Sequence, residues 1–181
     1  GDVYKRQVYN LLHMDKADLH HANLWNIDLR GASAKETIFC KCWLGNSNLV
    51  DADLRGADFS GAWITAADLS NSLLAASTLA GVSLARACMK ETDLTGAFAV
   101  RTDFRSAILN GATMRAANLS GANLRGASLI DADLSLSDLV GADLRDAQLD
   151  GAKLNGSRHD GTTRWPEAFK PLTSGGIDSH E

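Results

Sequence analysis

The sequence predicts an all-β solenoid, a chain coiled on itself and stacked turn upon turn. Two observations carry this. A large apolar residue falls at every fifth position from Met14 to Leu154; of these 29 consecutive centres, all are Leu, Phe, Ile or Met except Ala34 and Ala99. Two residues before each centre the side chain is small: 26 of the 29 are Ala, Ser, Thr or Cys, the exceptions being Leu12, Ile27 and Val82. On an α-helix a five-residue step advances about 140°, so the stripe would wrap the helix and face no single core. A flat strand alternates with a period of two. Here the spacing is two and then three, as in Ala17 to Leu19 and Leu19 to Ala22. Such a chain runs briefly extended, bends, and starts again. Eleven centres are followed two residues later by glycine, from Gly31 to Gly156, where the missing side chain eases a tight turn. Stacked coils of this kind bury a continuous apolar column and pair their backbone groups between neighbours.

The units Ala52-Asp53-Leu54-Arg55-Gly56, Ala57-Asp58-Phe59-Ser60-Gly61, Ala117-Asn118-Leu119-Ser120-Gly121 and Ala122-Asn123-Leu124-Arg125-Gly126 resemble the A(D/N)LXX motif of the pentapeptide repeat family. The resemblance covers residues from about 12 to 157, and so many tandem matches make it specific. It implies a right-handed quadrilateral β-helix with four units, or 20 residues, per coil. At ~4.8 Å per layer, the rod would have roughly seven coils and a length of about 35 Å. Four units per coil does not follow from the period alone, but unusual residues recur at multiples of 20: Trp43 with Trp63, Arg105 with Arg125 and Arg145, Val100 with Val140.

The chain then divides in order. Residues 1–7 lack the repeat and begin without Met, so they read as a non-native leader or scar. The β-helix is expected over 8–157, with Val8 to His13 starting or covering the first coil. Within it, Ala34 and Ala99 are each followed by a Phe centre, Phe39 and Phe104, whose bulk suits the volume the Ala leaves. The period is expected to stop after Ser157. Both prolines, Pro166 and Pro171, follow it, where they interrupt no ladder. The segment Thr163 to Phe169 resembles a closing segment of some family members, and Trp165 and Phe169 are the candidate cap over the open apolar end. This cap is assigned to 158–171, and 172–181 is expected to be a disordered tail.

At 181 residues and net charge −4, the chain reads as one domain with tails. The mild charge suits neither a general nucleic-acid binder nor a strongly acidic mimic. Three cysteines, an odd number, argue against a disulfide framework. No apolar run is long enough for a membrane span, and a cytoplasmic location is expected.

Catalytic residues, cofactors and metals are expected to be absent. Asp or Asn precedes 14 of the 29 centres, but these residues spread over all four implied faces, and short polar side chains there bond nearby backbone. His20, His21, Cys40 and Cys42 are the best metal candidates, yet Cys42 occupies an inward slot and zinc wants four convergent ligands. No phosphate loop, nucleophile elbow or zinc-protease motif is present.

One implied face, centred on Leu24, Leu44, Ile64, Leu84, Phe104, Leu124 and Leu144, is distinctive. Its N-terminal half carries Trp25, Trp43 and Trp63, which read either as an interaction surface or as a stabilising cross-coil stack. Its C-terminal half carries Arg105, Arg125 and Arg145, each two residues after Asp103, Asn123 or Asp143. A solvated Arg–Asp ladder is the favoured reading there, and an anion or partner contact the other. A neighbouring face is expected to expose Ile38, Phe98, Val100 and Val140. The function expected is a non-enzymatic scaffold for protein–protein contact, its partner an unknown protein or a second copy in a homodimer, with no direct nucleic-acid binding. The alternative rests on the resemblance: some pentapeptide repeat proteins imitate duplex DNA and bind DNA gyrase, conferring resistance to its poisons.

Overall fold

The computed structural model describes residues 12–171; the leader at 1–7, the proposed start at Val8 and the tail at 172–181 lie outside the described residues. The chain is a right-handed quadrilateral β-helix. Its rule is visible in one pair of bonds: Met14 N–H donates to the Ser33 carbonyl (2.7 Å) and Ser33 N–H donates to the Leu12 carbonyl (3.0 Å). Parallel bridges of this kind recur at an offset of 20 residues, from His13–Ser33 to Asp138–Arg158. Four units therefore close each coil. Coils 1 to 7 span 12–31, 32–51, 52–71, 72–91, 92–111, 112–131 and 132–151. Faces A to D are those whose first centres are Met14, Leu19, Leu24 and Leu29.

Each corner is a β-turn. The N–H of the next small residue donates to the carbonyl of the centre, as Ala17 does to Met14 (2.9 Å). The residue between them has a φ of +53° to +71° in all 29 units, the left-handed third position of a type II turn. Glycine fills eleven of these corners, but Glu36, Arg86, Leu136 and fifteen other residues adopt the same conformation. That conformation costs roughly 1–2 kcal/mol for an ordinary side chain, and the ladder on either side overrides it.

Centres and small slots both point inward. Every centre from Leu29 to Leu144, Ala34 and Ala99 included, is at most 2% exposed. Phe39 and Phe59 stack within the column, centroids 4.9 Å apart. Threonine hydroxyls in the small slots donate one layer down, Thr92 to the Leu69 carbonyl (2.8 Å) and Thr102 to the Leu79 carbonyl (2.6 Å), while Ser47 and Ser72 donate to the preceding centres Leu44 and Leu69. Cys42 donates one layer down through its thiol, to Leu19 (2.8 Å).

The upper end corrects one expectation. The period does not stop after Ser157. Arg158 continues face B, its carbonyl accepting from Leu139 N–H (2.7 Å). One extra residue is then accommodated, because Asp143 bridges Arg164 at an offset of 21. Thr163 occupies a small slot and donates to the Leu139 carbonyl (2.9 Å); Trp165 follows at the position of a centre and packs against the core. The 158–171 cap thus begins as further coil with one insertion. Phe169 stacks on Trp165 (5.1 Å) and His159 meets it edge-on (5.3 Å). On face D the segment 166–169 stands over the last coil across a cleft of 540 Å³, and Leu149 beneath it remains partly exposed.

Candidate functional site

Each unit offers two outward side chains, one on either side of its centre. Where the first is Asp or Asn, its Oδ1 accepts the backbone N–H of the second in all fourteen cases, at 2.9–3.4 Å. Neither the ladder nor the corner uses that N–H. These side chains complete the backbone bonding of the solenoid, and no general acid–base pair is built from them.

The His and Cys residues do not converge either. His20 Nδ1 lies 3.4 Å from Asp18, while the Cys40 thiol faces the Asp58 carbonyl at 3.9 Å. Burial, helped by Asp58, pushes the Cys40 thiol up to about 11, and burial raises Cys42 as well. Protonated thiols are poor ligands and nucleophiles. Among the described residues no group of three His, Cys, Asp or Glu side chains is placed to hold a metal ion.

Face C does gather the six residues singled out above. Trp43 and Trp63 bridge through their backbones and stack, with centroids 5.6 Å apart and planes within 6°. Trp25 does not join this stack. Its benzo ring lies over Gly45 in the next coil, so close that a Cβ at position 45 would meet Cε3 at 2.7 Å and Cη2 at 2.8 Å. All three rings remain 52–57% exposed. Above them, coil 4 presents only Ser83 and Ala85, a low step between the aromatic and basic halves.

The arginines are held by carboxylates. Arg105 donates through Nε and Nη2 to Asp103 (2.9 and 2.8 Å), and Arg145 likewise to Asp143 (2.9 and 2.6 Å). Arg125 sits beside Asn123 instead and reaches across to Asp146 (2.9 Å). The guanidinium bonds hold the Asp103 and Asp143 carboxyls below the usual carboxylate range. This is the Arg–Asp ladder, and the charge of the two forks is largely answered on the face itself.

Face B is less apolar than expected. Phe98 is exposed, but Ile38, Val100 and Val140 are half-buried, flanked by neighbouring coils. Two features escaped the sequence reading: the Gly45 shelf under Trp25, and Leu136, 58% exposed at a corner of coil 7. A glycine directly after its centre, and not at the corner position, was the hint of the first; an apolar residue at a corner position was the hint of the second.

The pentapeptide repeat family matches in eight copies, in overlapping stretches that run from residue 13 to residue 156. The chain is a pentapeptide repeat protein. Similar solved structures belong to the same class. A trypsin-treated form of QnrB1, a plasmid-mediated fluoroquinolone resistance protein, superposes with a TM-score of 0.51 at 18% identity, over 82% of this chain and 92% of that one. HetL, a pentapeptide repeat protein involved in heterocyst differentiation regulation from the cyanobacterium Nostoc sp. strain PCC 7120, shares 24% identity over 87% and 93% of the two chains, with a TM-score of 0.40. A pentapeptide repeat protein of the Arabidopsis thaliana thylakoid lumen shares 27% identity over 59% of this chain and 70% of that one, TM-score 0.33. No curated protein matches. The QnrB1 likeness supports the fold, and this pentapeptide repeat scaffold has no helix long and apolar enough to cross a membrane among its described residues.

Proposed function

We propose that this pentapeptide repeat protein is a non-enzymatic scaffold that binds protein through face C. The observation that carries the reading is the exposure of three tryptophans, each more than half exposed, on one flat face of the solenoid. Aromatic surface of this kind, left to water, is characteristic of contact surfaces. A reducing compartment such as the cytoplasm suits the three unpaired thiols.

A photo-crosslinking residue at Thr65, beside Trp63, tests this against one at Ser128 on face D. The expected result is a partner captured from Thr65 alone, whose binding, remade with purified components, weakens at least tenfold in Trp43→Ala/Trp63→Ala. Identical products from both positions, or binding indifferent to the tryptophans, would refute it.

One observation favours the gyrase-directed alternative. The left-handed positions at the corner between faces D and A include Asp51, Glu91 and Asp131 and no basic residue, with Arg30 and Lys90 as the basic residues beside them. The Arg row of face C opposes it, since a site for phosphate mimicry gains nothing from fixed cations. A supercoiling assay decides: inhibition or drug protection of purified gyrase at low micromolar protein would favour the mimic.

A further inference from the structure

We infer that the partner of face C is a second copy of this chain, laid antiparallel so that the tryptophan half of each copy covers the arginine half of the other. The inference rests on the proposal that face C is a contact surface, and adds the identity of the occupant.

The argument starts from the order of residues along face C. Coils 1 to 3 present Asn23 and Trp25, Trp43 and Gly45, Trp63 and Thr65, with no charge. Coils 5 to 7 present Asp103 and Arg105, Asn123 and Arg125, Asp143 and Arg145. Coil 4, the midpoint of seven, presents Ser83 and Ala85, both small, so two faces can approach closely there. An isologous contact has a two-fold axis. With that axis across the rod at coil 4, coil 3 of one copy meets coil 5 of the other, and coil 2 meets coil 6. Trp63 then lies opposite the Asp103–Arg105 pair. The Trp25 ring, which rests over Gly45 in coil 2, lies opposite Arg125.

The chemistry of those pairs is favourable. Guanidinium groups attract the faces of indole rings, and Arg–Trp is the best of such pairs. The carboxylate bonds of Arg105 and Arg145 lie in the guanidinium plane; they fix its orientation and leave its faces available for stacking. The parallel alternative sets coil 5 on coil 5 and coil 3 on coil 3, which leaves the tryptophans against uncharged positions and no cation over any ring. Self-complementarity therefore selects the antiparallel arrangement. A face seven coils tall, about 34 Å at ~4.8 Å per layer, buries on the order of 1,000 Å² over two copies, the lower bound for a specific interface. The dimer is accordingly weak and concentration-dependent.

Sedimentation equilibrium tests this with two variants, Trp25→Ala/Trp43→Ala/Trp63→Ala and Arg105→Gln/Arg125→Gln/Arg145→Gln. The wild type is expected to dimerise below millimolar concentration. Each variant is expected to raise the dissociation constant by about 100-fold, from the loss of all ring–guanidinium pairs. Mixing the two variants restores one complete set of pairs, so the mixture is expected to dimerise where neither does alone. Circular dichroism and melting establish that each variant is folded; if a triple is not, Trp63→Ala and Arg105→Gln replace the two in the same mixing design. A wild type monomeric at millimolar concentration, an arginine variant that dimerises as the wild type does, or a mixture that stays monomeric would each overturn the inference. A monomeric wild type that still crosslinks a different protein from Thr65 leaves the scaffold proposal standing; crosslinking equally from face D removes both.

Discussion

Gly45→Ala should destabilise the rod through Trp25 rather than through its own backbone. Gly45 has no left-handed φ, unlike the corner glycines, so alanine fits the local conformation. Taken alone, the change would stabilise by about 0.4–1 kcal/mol by restricting the unfolded chain. The new methyl, however, would stand where the Trp25 ring now lies, with Cε3 at 2.7 Å and Cη2 at 2.8 Å. Trp25 keeps 54% of its surface exposed, so a little under half of a ring worth up to about 250 Å² is covered, or roughly 115 Å². At ~25 cal/mol per Å² the full loss of that cover is about 3 kcal/mol. A ring that swings aside and keeps half its contacts loses about 1.5 kcal/mol. The net expectation is a loss of about 0.5–2.5 kcal/mol, according to how far the ring is displaced. Urea unfolding of the wild type, Gly45→Ala, Trp25→Ala and the double variant isolates the cause, provided the denaturant slope is unchanged. With Trp25 already removed, Gly45→Ala should become neutral or stabilising. An equal loss in both backgrounds would show that the methyl offends the backbone itself and that the shelf does not exist as described.

The other expectations concern the core, the ladder and the thiols. Ala99→Leu should overpack coil 5, where Ala99 and Phe104 are both buried, and lower stability by about 1–3 kcal/mol; a higher melting temperature refutes this. Asp53, Asp103 and Asp143 have carboxyls held low, chiefly by hydrogen bonds from Arg55, Arg105 and Arg145. Because the folded values lie below the unfolded one near 3.9, their contribution is complete above about pH 4 and is lost as pH falls through the depressed values. Replacing all three with Asn should therefore flatten the stability profile below about pH 4 and leave its slope between pH 5 and 7 unchanged; a change confined to the higher window contradicts the assignment. In the folded protein at pH 8, a thiol reagent should reach Cys88, which is partly exposed, and spare Cys40, pushed up to about 11, and the inward Cys42. Rapid loss of all three thiols would contradict the burial.

The repeat made the interior readable because every unit must solve the same packing problem. An inward centre cannot be large and polar, and the slot two residues earlier cannot be large, so both requirements write themselves into the sequence at a fixed spacing. The corner is a weaker constraint. All 29 corners are left-handed, yet glycine appears at only eleven, because a penalty of roughly 1–2 kcal/mol is small beside a corner already held by ladder bonds on both sides. The same tolerance hid the end of the β-helix. An insertion of one residue at 159–162 breaks a strict period of five, but it leaves Thr163 and Trp165 in a small slot and a centre, where the Asp143–Arg164 bridge and the bond from Thr163 to Leu139 reveal them.

The outward positions obey a different logic, and it explains why function was harder to read than fold. One backbone N–H per unit lacks a partner in the ladder, and an Asp or Asn before the centre supplies it in fourteen units. Those residues looked like chemistry by number and are structural by geometry. Where the preceding residue is Trp43, Trp63 or Phe98, the unit gives up that bond and places an exposed ring in its stead, with no gain to the interior. Trp25 is a third case: it follows its centre, its N–H is accepted by Asn23, and its ring needs a glycine one coil above to lie flat. Three rings of this kind on the uncharged half of a single face, each indifferent to the packing rule that governs the rest of the chain, are most simply accounted for by a surface that meets them from outside. The arginine half of the same face has the chemistry and the spacing to be that surface.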